Sequence, residues 1–211
     1  MPMRMVYWSR PNPCAEVTTH LRQASLLAAL CLMLAAWPAT AAAEISETLR
    51  FKYYAAEHRP GTTLLAALNA ASPIRHEGKV FHAYAGWTVN WQFRWWEESD
   101  GRCRLTENHT RLAVEITLPK LSSTEAAART SFDRYLVALR AHEMEHVRIA
   151  RNAAERIDRS ILQLPAMASC KALEAAANSL GQRLLREAAA EEKRMDQLTD
   201  HGSRQGAILP P

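Results

Sequence analysis

The segment His142-Glu143-Met144-Glu145-His146 contains two histidines four positions apart, with a glutamate directly after the first. Residues four apart lie on one face of an α-helix, so both imidazoles can reach a single metal ion. Glu143 lies about one position round the helix, where it can take a proton from a metal-bound water without binding the metal. Two neutral imidazoles suit Zn²⁺, with a third protein ligand and a water completing the site. The motif predicts a zinc-dependent hydrolase.

The motif falls within a stretch that is compatible with one long helix. This stretch begins near residue 124, contains no Gly or Pro, and ends before Pro165. Helical spacing places a set of mostly apolar side chains on one face, which predicts that this face is buried. The seam consists of Phe132, Tyr135, Leu139, His142, His146, Ile149 and Ala153.

The third metal ligand depends on how a second helix, predicted over residues 167–198, packs against the first. In an antiparallel hairpin about Pro165, residues 184–188 face the histidine pair, and Glu187 is the carboxylate there. His201 is the only histidine after the motif. A straight hairpin places His201 ~20 Å past the histidine pair. His201 can therefore bind the metal only if the second helix ends early or kinks, and Gly181 would permit a kink. Both candidates stay open on this reasoning.

The N-terminal half favours strands and turns. Alternating or β-rich segments occupy residues 48–54, 79–84, 87–96 and 111–118. These segments and the two helices predict an α+β fold, in which a small antiparallel β-sheet packs on the long zinc-binding helix and a second C-terminal helix. Trp87, Trp91 and Trp95 share one strand face, which favours core packing; a sugar- or peptide-binding surface is the alternative.

The N-terminus has the three parts of a secretory signal peptide. Residues 25–37 form a 13-residue apolar run after three arginines, and small residues up to Ala43 follow it. The run is short for a membrane span, which needs ~20 residues, although an uncut signal anchor is the alternative. We predict a signal peptide over residues 1–43 and a single exported domain, periplasmic or secreted, in a bacterium. That domain comprises residues 44–211: 44–120 mainly β, 121–202 helical and 203–211 a tail.

Charge and cysteine content change when residues 1–43 are set aside. They contain three arginines and Glu16, so residues 44–211 carry a net charge of +2 instead of +4. No basic stripe remains, which argues against a nucleic-acid partner, and no stable membrane anchor is expected after cleavage. Cys103 and Cys170 are the two cysteines left. An even count in an exported protein predicts a disulfide, with two buried free thiols as the alternative.

Several of these features occur together in the order of a known family. They are Gly86, Thr88 and Trp91 in a Trp-rich strand region, Cys103, Leu118-Pro119, the motif at 142–146, Cys170, and Asp196-x-x-Thr199-x-His201-Gly202 followed by Gln205-Gly206-Ala207. The chain thereby resembles, over most of residues 46–210, a bacterial family of domains of unknown function catalogued as predicted secreted zinc-dependent proteases.

This resemblance implies a zincin-like fold, a Zn²⁺ cofactor and a peptide or protein substrate. It also ranks His201 above Glu187 as the third ligand. Met195 departs from the family pattern, because the family tends to have Tyr there. If that Tyr assists catalysis, this chain lacks it.

Two functional hypotheses follow. In the first, the protein is a zinc metallopeptidase in which His142, His146 and His201 bind the ion and Glu143 is the general base. In the second, it is a non-catalytic envelope protein whose Trp-rich sheet binds a peptide or glycan, with a structural metal or none.

Overall fold

The structure is a computed structural model that describes residues 44–210. The predicted signal peptide, residues 1–43, lies outside the described residues. The described chain is α+β, as predicted, with a small sheet and three α-helices. In chain order its elements are β1 (Glu44–His58), α1 (Leu64–Ala71), β2 (Ile74–His76), β3 (Lys79–Phe81), β4 (Tyr84–Glu97), β5 (Cys103–Ser123), α2 (Ala126–Leu162), α3 (Cys170–Thr199) and a 3₁₀ turn (Ser203–Gln205). Within residues 44–210, no helix combines the length and the apolar character that a membrane span requires.

The main sheet is mixed, whereas the sequence predicted an antiparallel one. Its strand order is β1-β5-β4, with β4 and β5 antiparallel and β1 and β5 parallel. The β4–β5 pair is a hairpin, closed by a turn in which Gly101 has a φ of +84°. β1 cannot form a hairpin with its neighbour, because α1 and the β2–β3 hairpin carry the chain to the far side of the sheet first. The prediction was therefore right for β4–β5 and wrong for β1.

The core lies between the inner face of the sheet and α2. Along β5, alternate side chains such as Leu112, Val114 and Ile116 are buried, as the two-residue period of a strand requires. They pack against the apolar face of α2, where Val147 and Ile157 are fully buried. The predicted helical seam is confirmed, because all of its members are buried except His146, which is half-buried.

The predicted disulfide is present and lies where the sheet meets the two long helices. Cys103, at the start of β5, is bonded to Cys170, the first residue of α3. Cys103 also exchanges two backbone hydrogen bonds with Met167, of 2.9 and 2.8 Å. The segment between α2 and α3 is thus attached to the sheet, and α3 begins only after Ser169, whose Oγ accepts a hydrogen bond from Ala172 N–H.

This attachment sets the register of the helix pair. α2 and α3 are antiparallel, as predicted, but the residues opposite the histidines are not 184–188. Glu192 lies opposite His146 and Asp196 opposite His142, about two helical turns farther along α3. The predicted turn about Pro165 was too tight, because Met167 pairs with Cys103 of β5 before α3 begins at Cys170.

Two tryptophans of β4 pack against α3 and join it to the sheet. The indole Nε1 of Trp91 donates to Asn178 Oδ1 at 3.1 Å, and that of Trp87 donates to Glu192 Oε1 at 2.7 Å. Both rings contact the hydrophobic core, as predicted for this strand face, whereas Trp95, the third tryptophan of the prediction, is half-buried outside that core. α3 runs unbroken through Gly181, so the kink that Gly181 would permit does not occur.

Candidate metal centre

The two motif histidines point their Nε2 atoms at one carboxylate. His142 Nε2 and His146 Nε2 each lie 3.1 Å from Oδ1 of Asp196, which approaches from α3. The three ligand-type atoms all lie within 4.8 Å of one another. The histidines reach this point together because they are one turn apart on the inward face of α2. Two imidazole nitrogens and one carboxylate oxygen therefore converge on a volume the size of one metal ion's coordination shell.

The other nitrogen of each ring is held by an acceptor oxygen. His142 Nδ1 lies 2.8 Å from Gln205 Oε1, and His146 Nδ1 lies 3.1 Å from Glu192 Oε1. An oxygen of this kind can only accept, so each Nδ1 carries the hydrogen. Asp196 Oδ1 also only accepts, so in the protonated ring each Nε2 carries a hydrogen as well and donates it to Asp196. Loss of that hydrogen would leave the lone pair of the neutral ring on Nε2, where a metal ion could bind. This is the arrangement that outer partners impose on metal-binding histidines.

Glu143 lies beside this group without joining it. Glu143 is 4 % exposed, and the backbone N–H of Ala85, at the start of β4, faces its carboxylate. Burial raises the pKa of Glu143, an effect that the neighbouring histidines oppose only in part. A buried carboxylate with a raised pKa can both take and return a proton near neutral pH.

Opposite charges attract one another among His142, His146 and Asp196. Burial alone would lower the pKa of His146, but hydrogen bonds with Asp196 and Glu192 raise it to about 10. For His142, hydrogen bonds with Asp196 and Gln205 likewise outweigh burial and raise the pKa. The same contacts keep the pKa of Asp196 well below its ordinary value, although burial alone would raise it. The two protonated imidazoles and the Asp196 carboxylate thus stabilise one another's charged forms.

The chain brings Gln205 to His142 through a left-handed turn at the end of α3. Asp200, His201 and Gly202 all have positive φ, at 50°, 49° and 87°. Two consecutive non-glycine residues in this region are strained, and such strain concentrates at functional sites. Gly202 passes so close to the ring that an added Cβ would lie 3.1 Å from Cγ of His142.

The two predicted third ligands occupy different places. Glu187 pairs with Arg156 at 2.6 Å and with Arg183 at 3.3 Å, away from the histidines. His201 lies at the edge of the centre, its Nδ1 3.9 Å from Asp196 Oδ1, and its side chain is 48 % exposed. Neither belongs to the group of ligand atoms within 4.8 Å that His142 and His146 form with Asp196.

Asp196 and Glu192 were not singled out as site residues, although a signal for them was present. They are four positions apart on α3, so they share a helix face with the same spacing as His142 and His146 on α2. Two carboxylates at this spacing on the neighbouring helix match the histidine pair. To recognise this pairing, one must know which residues of α3 lie opposite the histidines of α2. A hairpin about Pro165 predicts residues 184–188 there instead of Glu192 and Asp196.

Comparison with known proteins supports the resemblance to a bacterial family of unknown function. Residues 51–202 match the model of the family described as "Bacterial protein of unknown function (DUF922)". No curated protein and no solved structure matches the chain significantly. The matched range extends from β1 through Asp196 to Gly202, and so contains the candidate centre apart from Gln205. Because the match covers well over half of the chain, the protein belongs to this bacterial family of unknown function.

Proposed function

We propose that this protein is a zinc-dependent hydrolase, most specifically a metallopeptidase. The observation that carries the proposal is the convergence of His142 Nε2, His146 Nε2 and Asp196 Oδ1 directly beside the buried carboxylate of Glu143. A buried histidine that serves only packing also needs hydrogen-bond partners for its ring nitrogens, but it does not need to share one carboxylate oxygen with a second histidine, as His142 and His146 do. The complete set of partners is what a metal centre requires.

The donor set fits Zn²⁺. Catalytic zinc sites use three protein ligands, drawn from His, Asp, Glu and Cys, and keep a further position for water or substrate. His142, His146 and Asp196 would supply the three, with Asp196 in the place that the sequence had led us to assign to His201 or Glu187. When bound, the ion would act as a Lewis acid and would lower the pKa of a coordinated water.

Glu143 is the general base of the proposed reaction. It would take a proton from the attacking water and pass it to the leaving amine. Ala85 N–H faces the carboxylate, and the low exposure of Glu143 strengthens its interactions with charges that develop nearby. Glu145 does not share this role, since it is paired with Arg148 at the surface of α2 at 2.7 Å.

A peptide is the substrate class that the strand next to the centre suits best. β4 is an edge strand, and among residues 44–210 no strand pairs with the side opposite β5. The N–H of Ala85 faces Glu143 on that side, so the backbone groups of alternate residues along β4 face the same way. An extended peptide could add to this edge as a further strand, with its scissile bond near Glu143.

We place the activity in the periplasm or outside the cell. The disulfide between Cys103 and Cys170 supports this location, because such bonds persist in oxidising compartments.

Metal analysis and a cleavage assay test the proposal. The purified full-length protein should bind about one zinc per chain and cleave members of a peptide library, with activity lost to a chelator and restored by zinc. Glu143→Gln should keep the zinc and lose activity by roughly 100-fold or more. Glu145→Gln, on the same helix but outside the centre, is the matched control and should stay near wild type. Absence of zinc, or full activity in Glu143→Gln, would contradict the proposal.

A further inference from the structure

One carboxylate oxygen joins three elements of the fold at the candidate centre. Oε1 of Glu192, on α3, accepts a hydrogen bond from Trp87 Nε1 of β4 at 2.7 Å. The same atom lies 3.1 Å from Nδ1 of His146 on α2. An indole N–H can only donate, and Nδ1 donates here as well, so Glu192 accepts from both.

We propose that Trp87 is a positioning residue for the metal ligand His146, acting through Glu192. The inference rests on the proposed metal centre but not on the identity of the substrate. Glutamate has a long side chain with several rotamers, and Glu192 is partly exposed, with 20 % side-chain accessibility. By itself it would hold His146 loosely.

Trp87 supplies the missing rigidity. Its ring packs against the hydrophobic core, so the position of its N–H is determined by the sheet. A short hydrogen bond to a carboxylate is of the stronger, charge-assisted kind. It holds Oε1 where His146 Nδ1–H meets it, which keeps the hydrogen on Nδ1 and directs Nε2 at Asp196. β4 then contacts both working parts of the centre, Glu143 through Ala85 N–H and His146 through Trp87.

Trp91 provides the comparison that separates positioning from packing. It lies on the same face of β4, contacts the same core and also donates its Nε1 hydrogen to α3. Its acceptor, Asn178, precedes Glu192 by fourteen residues of α3, or ~20 Å at the rise of a helix. If Trp87 served only to attach α3 to the sheet, the loss of either indole N–H would have similar consequences.

The test compares Trp87→Phe with Trp91→Phe in the full-length protein, since phenylalanine keeps an aromatic ring and removes the donor. Zinc affinity is measured by competition with a chromophoric chelator, and the thermal stability of each metal-free variant is recorded alongside. We expect Trp87→Phe to bind zinc about tenfold more weakly than wild type, the lower end of what outer partners contribute, and Trp91→Phe to stay within about twofold. The visible spectrum of the cobalt-substituted protein should shift in Trp87→Phe alone.

Two variants of the acceptor extend the test. Glu192→Gln keeps an oxygen that can accept from both donors and should retain more affinity than Glu192→Ala. Equal zinc affinities and equal cobalt spectra for Trp87→Phe and Trp91→Phe would overturn the inference even if the enzyme cleaves peptides. A wild-type protein that binds zinc but cleaves no peptide would overturn the peptidase proposal and leave the role of Trp87 supported by the same measurements. A wild-type protein that binds no zinc would overturn both.

Discussion

Gly181 of α3 lies against the indole ring of Trp91 so closely that no side chain fits between them. A Cβ added to Gly181 would lie 2.5 Å from Cζ2 and 2.7 Å from Cη2 of Trp91. Glycine within a helix normally costs stability relative to alanine. Here it lets α3 lie directly against the Trp91 ring of β4, and it occurs on the helix that carries Asp196.

Gly181→Ala should therefore destabilise the protein, although alanine is the better helix former by ~1 kcal/mol. Overpacking a filled contact typically costs ~1–3 kcal/mol, so we expect a net loss, measured by urea unfolding of the metal-free protein. The double variant with Trp91→Ala is the control, because removal of the ring should make the two changes strongly non-additive. A stabilised Gly181→Ala would contradict the packing described above.

The identity of the third ligand is tested by three alanine variants. Asp196→Ala should lower zinc affinity by more than about 100-fold, since outer partners alone contribute 10- to 100-fold. His201→Ala should retain zinc, because its ring lies beside Asp196 and outside the ligand group. Glu187→Ala should bind zinc as wild type does, since it removes only surface ion pairs with Arg156 and Arg183. If His201→Ala loses the metal while Asp196→Ala keeps it, the ligand inferred from the family resemblance is the correct one.

Gly202 and Gly206 offer a matched pair for the turn after α3. Both have positive φ, at 87° and 96°, so alanine at either should cost ~1–2 kcal/mol of backbone strain. Only Gly202 faces His142, whereas a Cβ on Gly206 would meet Ala138 at an ordinary 3.7 Å. We expect similar losses of stability, and a loss of zinc affinity in Gly202→Ala alone. Equal zinc affinities would show that the contact with His142 does not position the ring.

The pH dependence of zinc binding should extend above the range of an ordinary histidine. The pKa of His146 rises from 6.5 to about 10 in the metal-free protein, because hydrogen bonds with Asp196 and Glu192 outweigh burial. Zinc binds the neutral ring, so between these values each binding event must release this proton, and affinity increases with pH. We expect a gain of at least about tenfold per pH unit from about pH 7 to about pH 9, and a steeper gain wherever His142, whose pKa is also raised, is still protonated.

Calorimetric titration in two buffers of different ionisation enthalpy counts the released protons directly. At about pH 8, a histidine of ordinary pKa would release almost none, whereas His146 should release about one, and any proton that His142 still holds adds to that number. Affinity that levels off above about pH 7 would contradict the raised pKa. The variant Glu192→Ala, which removes one of its causes, should move the upper end of the dependence to lower pH.

The features that could be predicted from the sequence are those with local causes. The spacing of His142 and His146 places them on one helix face whatever the rest of the chain does. The burial of Phe132, Leu139 and Ile149 follows from the same periodicity. The pairing of Cys103 with Cys170 follows from parity, because no other cysteine remains after residue 43.

The features that were missed depend on how distant segments meet. Asp196 faces the histidines because Met167 pairs with Cys103 and delays the start of α3, and no periodicity within α3 reveals this. Glu192 and Gln205 lie beside the Nδ1 atoms of His146 and His142 for the same reason, the alignment of α3 against α2. The direction of β1 was missed for a related reason: a strand's side-chain pattern is the same whether its partner runs parallel or antiparallel.

The parallel pairing of β1 with β5 also constrains the order in which the molecule assembles. Glu44 pairs with His109 and His58 with Ser123, so this ladder joins residues ~65 positions apart and carries a large loop-closure cost during folding. The β4–β5 hairpin and the α2–α3 pair are closer in sequence and can form earlier. Every residue of the candidate centre belongs to β4, α2, α3 or the turn that follows. The parallel pairing of the N-terminal strand is therefore separated from the part of the chain that would bind metal.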